Sequence, residues 1–131
     1  MKREIKFRAI IPVNSNEPKR MVYFDLSKLD DIKMMVESDY SANQLMQFTG
    51  LLDKNGKEIY EGDLYKASEL NLPTYQVLYK NGAFCGGINM ENCEPLAWEF
   101  KVGIGMKEDE WVSTFLEVIG NIYETPELLQ F

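Results

Sequence analysis

This sequence predicts one mainly β domain, a small barrel or sandwich with short helical additions, and three observations carry that expectation. Asn55-Gly56 and Asn81-Gly82 each lie between segments rich in strand formers. Tight hairpin turns need such pairs because their central residues adopt positive φ. Leu96 to Val102 sets Leu96, Trp98, Phe100 and Val102 against Ala97, Glu99 and Lys101, a two-residue period that buries one face. Elsewhere short apolar segments follow one another at close intervals, separated by Gly and Asn, with no internal repeat, low-complexity tract or linker. The 131 residues fit a single domain spanning 1–131, a size that buries roughly two-thirds of its unfolded surface.

In chain order, Glu4 to Ile11 alternates Ile5, Phe7 and Ala9 with Lys6 and Arg8, a half-buried strand that Pro12 ends. Val13 to Lys19 is a turn, and Met21 to Phe24 is the returning arm of an N-terminal hairpin. Leu29, Ile32, Met35 and Val36 fall at helical spacing behind a candidate Ser27-x-x-Asp30 cap, with a strand or an irregular loop as the alternatives for this segment. Met46 and Phe48, then Ile59 and Tyr60, form a central hairpin about Asp53-Lys54-Asn55-Gly56. Glu61-Gly62-Asp63 is a turn in which Gly62 takes the unusual dihedral and Asp63 bonds neighbouring amides; Leu64 to Ala67 continues as strand. Thr74 to Lys80 and Ala83 to Ile88 flank Asn81-Gly82 as a second hairpin, with Gly86-Gly87 suggesting a bulge or bend. Gly103 to Glu110 reads as a polar loop and Trp111 to Ile119 as the closing strand. Thr125-Pro126-Glu127 then opens a short C-terminal helix.

Composition narrows the function classes. Hydrophobic residues at 45% and charged residues at 27% are ordinary for a globular protein. No apolar run approaches the roughly 20 residues of a membrane span, and no signal-peptide region opens the chain, so a soluble, unexported, cytoplasmic protein is expected. The net charge of −7 repels polyanions. Residues 1–20 hold Lys2, Arg3, Lys6, Arg8, Lys19 and Arg20 against Glu4 and Glu17, net +4, so the remainder carries −11. That basic stretch reads as the exposed decoration of a terminal strand rather than a phosphate site.

The absence of histidine removes Ser-His and Cys-His nucleophilic pairs. Cys85 and Cys93 are too few for a disulfide scaffold and read as free thiols, Cys85 in a strand and Cys93 in a loop. Glu61 and Asp63, two apart, have the spacing of an acid and base pair or a cation clamp, although a structural turn explains them better. Asp53-Lys-Asn55-Gly begins like a calcium loop but lacks the acidic ligand such a loop needs downstream. Trp98 and Trp111 are candidate groove-lining aromatics. No metal or other cofactor is expected.

Several blocks resemble the YopX family of phage and prophage proteins. They are Ile5-Lys-Phe-Arg-Ala9, Met46-Gln-Phe-Thr-Gly-Leu, Asp53-Lys-Asn-Gly-Lys-Glu-Ile-Tyr-Glu-Gly-Asp63, Glu117-Val-Ile-Gly-Asn-Ile-Tyr-Glu and Pro126-Glu-Leu-Leu129. Ile10-Ile11 stands where the family usually has Trp-Asp, and Phe24 to Tyr40 contributes no block to the resemblance. The resemblance implies an SH3-like β-barrel core with additions and a small intracellular phage-encoded protein; it implies no activity. The favoured expectation is a non-catalytic module that binds a host or phage protein or a second copy of itself, with Glu61, Asp63, Trp98 and Trp111 as candidate binding residues. The alternatives are a small carboxylate- or metal-dependent enzyme centred near Asp63, and a nucleic-acid-associated protein using the basic N-terminal strand.

Overall fold

The computed structural model describes residues 4–11, 20–37, 45–67, 73–95 and 108–129. Among them, strands β1 (Lys6–Ile11), β2 (Arg20–Asp25), β3 (Leu45–Leu52) and β4 (Glu58–Tyr60) form one antiparallel sheet in the order β2-β1-β3-β4. Strands β5 (Asp63–Lys66), β6 (Tyr75–Lys80), β7 (Ala83–Gly87), β8 (Cys93–Pro95) and β9 (Glu117–Asn121) form a second, ordered β8-β7-β6-β5-β9. The hydrogen-bonded ladders give two sheets joined at a corner, where the sequence suggested a closed or nearly closed barrel. Helices α1 (Leu29–Glu37) and α2 (Glu108–Phe115) and a 3-10 turn at Pro126–Leu128 complete the described elements. The strand expected at Leu96–Val102, with Trp98, and the turn expected at Val13–Lys19 lie outside the described residues.

Both Asn-Gly turns form, in different ways. Asn81 and Gly82 take φ of 53° and 80° between the Lys80↔Ala83 pair, so this turn uses positive φ at both central positions. At the first turn only Gly56 has positive φ; Asn55 does not. Here the Asp53 side chain organises the loop. Its Oδ1 accepts the Asn55 and Lys57 N–H groups, both at 2.9 Å, and its backbone N–H donates to Lys57 O at 2.8 Å. Oδ2 reaches across to accept the Val118 N–H at 2.9 Å. Lys54 N–H donates to Leu116 O at 2.8 Å. A buried carboxylate thus ties the tip of the first sheet to β9 of the second, a role that local sequence does not reveal.

The main core lies against β4, β5, β6 and β9, where Ile59, Tyr65, Val77 and Val118 meet Val112 and Leu116. Val112 and Leu116 recur four apart, and both are fully buried. Trp111 to Phe115 is therefore helical rather than the first half of a strand, because apolar residues at positions 112, 115 and 116 make one helix face. The acidic Glu108-Asp109-Glu110 run opens α2 instead of forming a loop, as suits the positive end of a helix dipole.

Other local expectations shift as well. Helix α1 forms, but Ser27 does not cap it through Asp30; Ser27 N–H and Oγ–H both donate to Asp25 Oδ1, and Asp31 Oδ2 accepts the Asp25 N–H. Gly86 and Gly87 keep regular register with Val77 and Gln76, so no bulge forms there. Gly87 instead admits a neighbour, since a Cβ there would lie 2.1 Å from Asn92 O. Cys93, expected in a loop, begins β8. The C-terminal turn begins after Thr125 as expected, but Thr125 Oγ1 turns back to Asn121, accepting its N–H at 3.0 Å, and makes no cap.

Candidate functional site

The chain passes from β4 to β5 through Glu61 and Gly62, and these two residues join the sheets. Gly62 has φ +89°, a backbone conformation that side-chain-bearing residues rarely hold. Its N–H donates to Val77 O at 2.8 Å and its carbonyl accepts the Ile122 N–H at 2.9 Å, so both backbone groups face the second sheet. Glu61 N–H donates to Gln47 O at 2.9 Å in the first. The sequence reading of Glu61-Gly62-Asp63 as a turn with glycine at the strained position is what the backbone adopts.

Asp63 is only 1% exposed. Arg8 Nη2 donates to its Oδ1 at 2.7 Å, and the Tyr60 N–H donates to its Oδ2 at 2.8 Å. Arg8, 2% exposed, also reaches the Glu61 carbonyl at 3.3 Å and lies over the Tyr60 ring at 4.8 Å from its centroid. Its Nε is buried with no acceptor among the described residues. The expectation that Arg8 decorates an exposed face is overturned. Arg8 faces the β4–β5 corner, where Asp63 and the Glu61 carbonyl accept its hydrogen bonds and Tyr60 covers its guanidinium; it is buried together with Ala9 and Ile10, while Ile5, just before β1, is exposed. Lys6, half-buried, is paired with Glu4 at 3.0 Å and with Glu58, and lies 5.5 Å from the centre of the Phe48 ring.

Electrostatics at the corner follow from burial. Desolvation pushes the Asp63 carboxyl above the usual range, opposed by Arg8 and the Tyr60 N–H. Glu61 is also raised by burial, and a single 3.4 Å bond from the Gln47 N–H works against that. The Tyr60 and Tyr123 hydroxyls are raised too, first by burial and then by Glu58 and Glu61 respectively. Asp63 has both oxygens engaged and no access to a solute, so it is not placed to act as a general base or to clamp a cation. Glu61 is half-buried, and among the described residues no three Asp, Glu or Cys side chains converge as a cation site. Of the two candidate tryptophans, Trp98 lies outside the described residues, and Trp111 belongs to α2 rather than to a strand beside it.

A carboxyl whose folded pKa exceeds its unfolded value binds more protons folded than unfolded, so its contribution to stability falls as pH rises between the two values. Ionised Glu61 therefore opposes folding at neutral pH. Glu61→Gln, whose Oε1 retains the bond to Gln47, is expected to raise the denaturant midpoint at pH 7 and to narrow the gap between wild type and variant at pH 4. A variant less stable at pH 7 with no such convergence would contradict the assignment.

The sequence profile of a family described as "YopX protein" matches residues 6–130. No curated protein matches the chain. Among solved structures, the crystal structure of protein EF1440 from Enterococcus faecalis is similar at 23% identity with a TM-score of 0.47, over 96% of this chain and 98% of that one.

Proposed function

The chain belongs to the YopX protein family, and from that premise we propose a phage- or prophage-encoded binding protein that works without catalysis, on an SH3-like core, in the bacterial cytoplasm. The observation that carries this reading is the engagement of Asp63. The buried carboxylate best placed to anchor a carboxylate enzyme is bonded to Arg8 and Tyr60 and has no open face. What faces solvent includes large apolar side chains among charges of both signs, with Arg20, Lys28 and Lys33 exposed as well as Asp30. Tyr23 on the edge strand β2 is 54% exposed, and Leu29, at the start of α1 beside Asp30 and Asp31, is 78% exposed. Such side chains suit a partner protein that presents an apolar surface of its own. Among the described residues no helix is long and apolar enough to cross a membrane.

The test is affinity capture from prophage-induced host lysate, with wild type and a Tyr23→Glu/Leu29→Glu variant compared side by side. The expected result is one protein retained in stoichiometric amount by wild type and lost by the variant. Equal retention by both, or turnover of a substrate with a divalent cation, would overturn the reading. Specific binding to DNA or RNA is not expected, because Arg8 is internally paired and Lys6 sits between Glu4 and Glu58. A mobility-shift assay at about 0.15 M salt should show no retained complex. Sub-micromolar binding abolished by Lys6→Glu would favour a nucleic-acid role instead.

A further inference from the structure

Cys85 and Cys93 are eight positions apart in sequence, and their sulfurs lie 3.2 Å apart. Three features of the fold produce the contact. Strands β7 and β8 run antiparallel with Cys85 opposite Pro95 and Gly87 opposite Cys93, which sets the two thiols on a diagonal across the pair. Gly87 lets β8 close in, since a Cβ there would stand 2.5 Å from the Cys93 Cα. The intervening turn is held by Asn89 Oδ1, which accepts the Glu91 and Asn92 N–H groups at 3.0 and 2.8 Å, and by the Ile88 N–H donating to Asn92 O at 3.2 Å. Both thiols are free; Cys85 is buried and Cys93 half-exposed, with the Met90 carbonyl 3.4 Å from its sulfur.

We propose that Cys85 and Cys93 form a thiol–disulfide exchange pair that reacts with low-molecular-weight disulfides, Cys93 attacking and Cys85 resolving. The more accessible Cys93 attacks as its thiolate on one sulfur of the small disulfide, forming a mixed disulfide and releasing one thiol. Cys85 then attacks the Cys93 sulfur, closing the protein disulfide and releasing the second thiol. Two cysteine thiols are oxidised by two electrons, the small disulfide is reduced by the same two, and both cysteine protons end on the released thiols.

The order of attack follows from the surroundings. Burial, together with the hydrogen bond and charge of Cys93, pushes the Cys85 thiol up to about 12, and Lys80 only partly opposes this. Cys85 is therefore inert toward solution. Once Cys93 is in a mixed disulfide, its hydrogen bond and charge no longer hold the Cys85 proton. The sulfur to be attacked is already in contact, and proximity then favours ring closure over a second encounter with a small molecule.

The test incubates the folded full chain with glutathione disulfide, quenches with acid, alkylates under denaturing conditions and reads intact mass. Wild type should lose two hydrogens and escape alkylation, without accumulating a glutathione adduct. Cys85→Ser should accumulate one adduct at Cys93, and Cys93→Ser should remain unmodified. Wild type that stops at the mixed disulfide, or that keeps both thiols under conditions that modify Cys85→Ser, would overturn the proposal. So would a Cys93→Ser chain that takes up glutathione at Cys85 as fast as Cys85→Ser does at Cys93. The wild-type arm stands even if the buried Cys85→Ser change destabilises the fold.

Discussion

Arg8→Met is expected to lower the free energy of unfolding by about 3 to 5 kcal/mol, the range seen when one partner of a buried ion pair is removed. The loss comes less from the missing attraction than from what remains. Asp63, 1% exposed, would keep a charge in a low-dielectric corner with only the Tyr60 N–H to stabilise it. Methionine keeps the aliphatic part of the side chain but removes the guanidinium that lies over the Tyr60 ring and reaches the Glu61 carbonyl, so the loss includes those contacts as well as the charge. Equilibrium denaturation followed by far-UV circular dichroism measures it. A change below about 1 kcal/mol would show that the corner is wet or that Asp63 is readily neutralised.

Gly62→Val is expected to cost about 3 kcal/mol. Holding a β-branched residue at φ +89° contributes on the order of 1–3 kcal/mol of backbone strain. The new Cβ would also stand 2.9 Å from Met46 Sδ, which must move. Gly56→Val provides the control, because Gly56 has φ +80° with nothing within 4 Å of a Cβ. The two variants share the strain and differ in the crowding and in the ties Gly62 makes to Val77 and Ile122. The denaturant midpoint should therefore fall further for Gly62→Val. Equal losses would mean that the corner contributes no more than an exposed turn.

What the sequence revealed and what it hid divide along the range of the interactions. Asn81-Gly82 and Gly62 were legible because positive φ is a local demand that few residue types meet. Helix α1 was legible only in part, because its three-and-four spacing left a strand or an irregular loop open. The burial of Arg8 was not, because its partner lies 55 residues away and the β4–β5 corner that covers it is assembled only in the fold. Asp53 was hidden for the same reason, its second oxygen serving Val118 across the sheet junction. The Cys85–Cys93 contact depends on the register of two strands that the sequence does not state. Helix α2 was misread because Trp, Val, Thr and Phe favour strands intrinsically, while packing of Val112 and Leu116 into the core decided otherwise. Of the candidate binding residues, Glu61 and Asp63 were correctly placed at a turn, yet their burial could not be seen without Arg8.

The central claim is that the Arg8–Asp63 pair is an architectural joint between two sheets and not a reactive site. The most direct measurement is a double-mutant cycle on unfolding free energy using Arg8→Met, Asp63→Asn and the two together. Asparagine removes the charge, and its amide oxygen, turned to the place of Asp63 Oδ2, keeps an acceptor for the Tyr60 N–H, so the double variant should regain much of the stability lost by Arg8→Met alone, with a coupling energy above about 1 kcal/mol. Strictly additive losses would contradict the claim and leave Asp63 free for other chemistry.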